Sequence, residues 1–137
     1  MEIRRADWQS DHGAIAGIRR RVFIEEQQVP EALEWDGLDE AAIHLLAWDE
    51  DVAVATARML ADGHIGRMSV LPGHRGRGIG RQLLTELLRL AQQRRLTEVH
   101  LDAQTHALGF YEQLGFEVEG ETFMDAGIPH RHMRKRL

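Results

Sequence analysis

The chain has 137 residues, no cysteine, 43% apolar content and a formal net charge of −5. This length and apolar content fit one domain around one core, and the lack of cysteine removes disulfides, thiolate metal sites and a cysteine nucleophile. The acidic balance argues against a nucleic-acid or anionic-membrane surface, since both rest on clustered positive charge. Met1-Glu2-Ile3-Arg4-Arg5 leads into Asp7 and Gln9, not an apolar signal core, and no apolar run approaches membrane-spanning length. A cytoplasmic protein is expected.

In chain order, Glu2 to Ala6 suits a short strand, and Ala14, Ile15, Ile18, Val22 and Phe23 fall at helical spacing from Gly13 to Glu25. Arg19, Arg20 and Arg21 read as a solvated face of that helix. Glu26 to Asp39 loses the period and contains Pro30 and Gly37, which reads as a loop with a helical turn. Loops of this length in compact domains are often functional. Ala42 to Asp49 and Val52 to Leu60 are β-branched, apolar runs, and Asp62-Gly63 leads into a third strand from Ile65 to Val70. After a glycine-arginine stretch, Ile79, Leu83, Leu84, Leu87, Leu88 and Ala91 form one helical stripe. Thr97 to Ala103 alternates as the next strand, so strand, loop, helix and strand form a βαβ unit with parallel neighbours. Thr105 is placed to cap a helix running to Leu114, with Gly115 at its C′ position. Phe116 to Asp125 and His130 to Leu137 close the chain as two strands around a Gly127-Ile128-Pro129 turn. The sum is an α/β fold, a mixed and mostly antiparallel sheet with helices on both faces.

The chemistry centres on Arg75-Gly76-Arg77-Gly78-Ile79-Gly80-Arg81. A glycine loop opening a helix presents several backbone N–H groups together, and the helix dipole adds positive charge, which makes a phosphate seat. Arg75, Arg77 and Arg81 supply charge-assisted donors. Arg81 stands where a dinucleotide fingerprint needs its third glycine, and no Lys-Ser or Lys-Thr follows, so neither common phosphate motif fits.

What remains, Arg75-x-x-Gly78-x-Gly80 after a strand, resembles the pyrophosphate loop of the GNAT superfamily of acyl-CoA N-acetyltransferases. Ala107-Leu108-Gly109-Phe110-Tyr111-Glu112-Gln113-Leu114-Gly115-Phe116 is similar to the family segment Ala-x-x-Phe-Tyr-x-x-x-Gly-Phe. Val22 to Gln27, Asp36-Gly37, His44, Arg58, Ala103-Gln104 and Gly127-Ile128-Pro129-His130-x-x-Met133 resemble the ElaA-like branch.

The resemblance implies acetyl-CoA as cosubstrate, with its pyrophosphate on Arg75 to Arg81 and its pantetheine beside Met68-Ser69-Val70, near Gln104 and Phe110. It implies direct transfer to a primary amine, carried by a small molecule or a peptide, with Tyr111 giving a proton to the departing thiolate. A tyrosine packing its ring at the surface is the ordinary alternative. A backbone N–H near Val70 is the oxyanion candidate. Glu26, His44 and His130 are the candidate bases, and with Arg58 the candidate acceptor contacts. His130 has a suitable unperturbed pKa. Glu25 and Glu26 also fit a solvated helix face. Acidic residues from Glu25 to Glu40 mildly favour a cationic acceptor. His130-x-His132 has no third ligand at matching spacing, so no metal is expected. A non-catalytic acyl-CoA sensor module and a homodimer both remain open.

Overall fold

Seven alternating segments assemble into one sheet in the computed structural model, which describes residues 1–137. The strands are β1 (Glu2–Arg5), β2 (Ile43–Asp49), β3 (Val52–Met59), β4 (His64–Val70), β5 (Glu98–Gln104), β6 (Glu117–Asp125) and β7 (Ile128–Arg136), in spatial order β1-β2-β3-β4-β5-β7-β6. Only β4 and β5 are parallel. The helices are α1 (Trp8–Arg19), α2 (Glu31–Glu34), α3 (Ile79–Gln93) and α4 (Leu108–Glu112). No helix is long and apolar enough to cross a membrane.

Strand side chains alternate between faces, so Leu45 and Leu46 of β2 serve two cores. Leu45 joins the larger cluster, into which α3 buries Ile79, Leu83, Leu84, Leu87, Leu90 and Ala91. Leu46 packs with Ile15 and Ile18 of α1 on the other face. At roughly 1.5–3 kcal/mol for each large aliphatic side chain removed from water, the α3 stripe is a dominant stabilising contribution.

Local chemistry moves several expected boundaries. α1 begins at Trp8, before Gly13, because Asp7 starts it: the Asp11 carboxylate accepts the Asp7 N–H at 2.9 Å and the Ser10 hydroxyl donates to the Asp7 carboxylate at 3.1 Å. From Arg20 to Glu26 the helix widens to π-helical geometry, with Gln27 N–H donating to the Val22 carbonyl at 3.1 Å. Thr105 does not cap a helix; it opens a 3₁₀ turn, and α4 starts at Leu108 without a side-chain cap. Gly115 does end that helix in the left-handed region, at φ 92°. The last hairpin turns on Ala126 and Gly127, at φ 52° and 76°, pairing Asp125 with Ile128. Ile128 and Pro129 are therefore strand residues, and His130 lies inside β7.

The largest departure concerns Arg19, which is fully buried instead of solvated. Ile15, Ile18, Arg19 and Val22 share one helix face, and the guanidinium ends where loop 26–39 folds back. Its Nε donates to the Glu34 carboxylate at 2.7 Å, one terminal nitrogen to Asp39 at 2.7 Å, and the other to the Glu34 carbonyl at 3.1 Å. Arg58 of β3 holds the same Asp39 oxygen at 2.9 Å and clasps both oxygens of Asp36 at 2.8 and 2.9 Å. Arg67 of β4 closes the set on Glu34 at 3.1 Å and Asp36 at 3.3 Å. Burial pushes the Glu34 carboxyl up against these partners. For Asp36 and Asp39, burial is outweighed by hydrogen bonds from Arg58 and Arg19, and both stay below the usual carboxylate range.

Arg19→Met removes one of the two arginine partners of each of the buried carboxylates Glu34 and Asp39, and is expected to cost about 3–5 kcal/mol. Arg21→Met, at an exposed neighbour, is expected to leave stability near that of the unmodified chain. Urea unfolding of both variants checks this; equal midpoints would contradict it.

Candidate active site

β4 and β5 are bridged only at His64 with His100 and Ile65 with Leu101. Beyond that point β4 stays on β3 and β5 stays on β7, so the parallel pair splays. A cleft of about 800 Å³ opens between the arms. A bulge re-aims the β4 arm: Arg67 and Met68 stand opposite the single residue Ala57, with Arg67 at φ 52°. Leu71 N–H donates to the Val54 carbonyl at 2.9 Å. By antiparallel alternation, the Val70 N–H and carbonyl then face away from β3 and into the gap. The Arg75 Nε donating to that Val70 carbonyl at 2.9 Å agrees.

The glycine loop follows at the end of the same arm. Gly76 and Gly78 adopt φ 76° and 78°, and α3 starts directly after Gly78. An ideal Cβ at either would meet no neighbour within 4 Å, so the requirement there is backbone conformation together with open space for a ligand. A Cβ on Gly80 would touch Met68 and Phe110, both at 3.7 Å. Ile79 is buried in the core, while Arg77 and Arg81 are exposed beside the loop. Arg75 differs from the sequence expectation. Its guanidinium turns away from the loop into a two-point pair with Glu26, at 2.6 and 2.7 Å.

That pair changes the standing of Glu26. The hydrogen bond from Arg75 holds its carboxyl below the usual range, so Glu26 is a poor proton acceptor. Its neighbour Gln27 receives the Gln104 side-chain amide at 2.9 Å. Residues 26 and 27 thereby link both arms of the splay. His44 is not in the cleft. It is buried beneath Trp8, whose ring stacks on it at 4.7 Å, and its Nε2–H donates to the Asp39 carbonyl at 2.8 Å. Burial pushes its pKa down. Arg58 lines the cleft, but its guanidinium is engaged by Asp36 and Asp39, so it reads as a brace.

Tyr111 and His130 face the cleft from the β5 side. Tyr111 packs edge-on against Phe110 and Phe116, with ring centroids 5.0 and 5.9 Å away, and burial pushes its phenol up to about 12. His130 is 9% exposed and pairs with Gln104 across the sheet. Its Nδ1–H donates to the Ile128 carbonyl at 2.7 Å, which leaves Nε2 with a free lone pair. Ser69 is buried, and Met68 and Val70 line the β4 wall.

Comparison of the whole chain with known proteins places this fold in a family. The family model for the acetyltransferase (GNAT) domain matches residues 7–137. The chain belongs to the GNAT acetyltransferase family. YyaT of Bacillus subtilis is 37% identical over 143 residues, spanning 100% of this chain and 97% of that protein. ElaA of Escherichia coli is 33% identical over 132 residues, with 90% and 86% covered. The crystal structure of Escherichia coli ElaA superposes with a TM-score of 0.90 at 31% identity, covering 99% of this chain and 100% of that one. An acyl-CoA N-acyltransferase from Pseudomonas aeruginosa gives a TM-score of 0.88 at 31% identity, with 98% and 99% covered.

Arg67, His64 and Asp102 are cleft residues of this N-acetyltransferase that the sequence reading did not single out, while Gln27 entered it only within the Val22-to-Gln27 resemblance and Glu34 only as one of the acidic loop residues. Asp102 accepts from His132 Nδ1 at 2.7 Å and lies 3.8 Å from His64 Nε2. Burial, then the neighbouring His100, pushes His64 down. Alternation in Glu98 to Gln104 puts His100, Asp102 and Gln104 on one face, a legible signal. Pairing of that face with His130 and His132 depends on the strand order β5-β7-β6 and was not legible.

Tyr111 is the chain's one tyrosine, so tyrosinate absorbance reports it alone. In the folded GNAT protein the phenol is expected to ionise near 12; in denaturant it should ionise near the unperturbed value of about 10. Over that interval the unfolded chain has lost a proton the folded chain keeps, so stability falls as pH rises. Coincident folded and unfolded titrations would contradict the buried placement.

Proposed function

We propose that the chain is a single catalytic domain that transfers the acetyl group of acetyl-CoA to a primary amine by direct attack. The observation that carries this reading is the splay of β4 from β5 directly before the Gly76-to-Gly80 loop. The gap is the right place for an extended pantetheine arm to add to the free side of β4 as a strand would. The loop N–H groups and the start of α3 then receive the pyrophosphate, with Arg77 and Arg81 adding charge. Gly76 and Gly78 leave room for it. Arg75 acts indirectly, by fixing the β4 arm to Glu26.

Acetyl-CoA supplies an activated thioester carbonyl. His130 Nε2 takes the proton that the attacking amine must lose, and its Nδ1–H bond to Ile128 holds the tautomer that can do so. The Val70 N–H points into the gap and stabilises negative charge developing on the carbonyl oxygen. As the C–N bond forms and the C–S bond breaks, Tyr111 gives its proton to sulfur. Burial makes Tyr111 a weak acid in isolation, but the same desolvation raises the proton affinity of the departing thiolate beside it. Glu26 and His44 take no part in proton transfer in this scheme.

Calorimetric titration with acetyl-CoA tests the seat. Gly78→Glu should abolish binding while the fold persists by circular dichroism. Arg81→Glu, which alters an exposed side chain, should weaken binding roughly tenfold or more through loss of a charge-assisted contact. Tyr111→Phe should retain binding and lower kcat by about 10²–10⁴-fold. Binding unaffected by either loop variant, or turnover unaffected by Tyr111→Phe, would overturn the corresponding assignment.

A further inference from the structure

The acceptor half of the cleft has a composition that the sequence disguises. Five carboxylates line the cleft: Glu26, Glu34, Asp36, Asp102 and Asp125. Arginines already match three of them. Glu26 belongs to Arg75, Glu34 to Arg19 and Arg67, and Asp36 to Arg58 and Arg67. The acidity of loop 26–39 is thus largely consumed inside the protein and is not available for a polycation. The same pairing occupies Arg58, Arg67 and Arg75, so an anionic acceptor finds no free guanidinium among the cleft-lining residues.

Two carboxylates remain without an arginine. Asp125 sits at the hairpin end of β6, whereas Asp102 lies within β5, its side chain 34% exposed and its charged partners the histidines His132 and His64. Asp102 pairs in register with His132, and Gln104 with His130. Residues two apart on a strand share a face, so Asp102 and His130 are diagonal neighbours on the cleft side of the sheet. An ammonium group held by Asp102 that first sheds one proton to water in the open cleft is then, as the neutral amine, one register step from the imidazole that takes its second proton on attack.

The cleft also has apolar lining, interspersed with the paired carboxylates of loop 26–39. Leu33 and Leu38 are 55% and 49% exposed, although the loop that carries them is tied down by the arginine network. Both line the cleft, together with Phe23, Val29 and Ile128. One exposed leucine needs no explanation. Two from a fixed loop, both facing a reaction cleft, form a contact surface for apolar substrate.

We propose that the acceptor is a small primary monoamine with an alkyl or arylalkyl body, its ammonium on Asp102 beside His130 and its body against Leu33 and Leu38. This rests on the acetyl-transfer reading above and specifies its substrate. Polyamines would lay a second ammonium along the apolar lining, with only Asp125 at the hairpin end of β6 left to meet it. Amino sugars would leave hydroxyl groups unpaired there, and both losses are costly.

The test compares 2-phenylethylamine and hexylamine with spermidine, glucosamine and a phenylalanine-terminated peptide, using acetyl-CoA and following release of thiol. Both monoamines should exceed the others in kcat/KM by about tenfold or more. Asp102→Asn and Leu38→Asp should each lower the 2-phenylethylamine value by about tenfold or more, mainly through KM. Acetyl-CoA affinity and the melting temperature should stay unchanged. Preference for spermidine, glucosamine or the peptide, or indifference to both substitutions, overturns the proposal. If acetyl-CoA binds yet neither monoamine is acetylated, the acceptor class is wrong and the donor site stands. If acetyl-CoA does not bind, the failure lies in the transfer reading itself.

Discussion

The buried guanidinium of Arg19 is the constraint on which the rest of the molecule depends. Removing an arginine and two carboxylates from water is expensive, and the attraction among them offsets that cost only when the geometry is near ideal. Here Nε and both terminal nitrogens are used, on Glu34 twice and on Asp39 once. Asp39 passes the connection to Arg58, Asp36 extends it to Arg67, and the chain of charges ends on the bulge of β4. One helix residue thereby fixes the loop that roofs the cleft relative to the strand that forms its wall. A loop held only by α2, four residues long, would be far less defined.

The sheet supplies the complementary constraint. β4 and β5 pair for two residues and then separate. The parting leaves backbone N–H and carbonyl groups of β4 facing a space that no protein strand fills. In most sheets such an edge is a liability that invites association. In the proposed function the same edge receives the acyl donor. The bulge at Arg67 performs two tasks, since it turns the backbone toward the gap and directs its own side chain to Glu34 and Asp36. Residues 26 and 27 reach both arms, through Arg75 and Gln104, which couples the width of the opening to the end of the π-helical segment.

Elements whose signal is local were legible in the sequence. The α3 stripe, the glycine loop, the parallel β4–β5 pair and the Gly115 helix end all depend on neighbours close in the chain. Leu90, 8% exposed, joins the buried core where Leu88 was expected, and Leu88 is only partly buried against it. Residues whose environment is made by distant segments were misread. Arg19 looked solvated because it stands in an arginine run, although its spacing from Ile15 and Val22 placed it on the apolar face. His44 looked like a site histidine through the resemblance to the ElaA-like branch; α1 covers it with Trp8. Glu26 looked free because nothing local announces Arg75. The hairpin signal was read one residue late: Ala126-Gly127 makes the turn, and Pro129 is tolerated within β7. Acidity of loop 26–39 was visible as composition, while its neutralisation by Arg19, Arg58 and Arg67 required three other elements to arrive.

Hydrogen exchange measured residue by residue, with and without acetyl-CoA, tests the central claim most directly. Slowed exchange is expected at Val70 on the open side of β4 and at Ile79 to Arg81 at the start of α3. Slowing is also expected across residues 26–27, which join the two arms. Unchanged exchange at these amides, with acetyl-CoA bound and protection appearing elsewhere, would contradict the claim that the splayed strand and its glycine loop form the donor site.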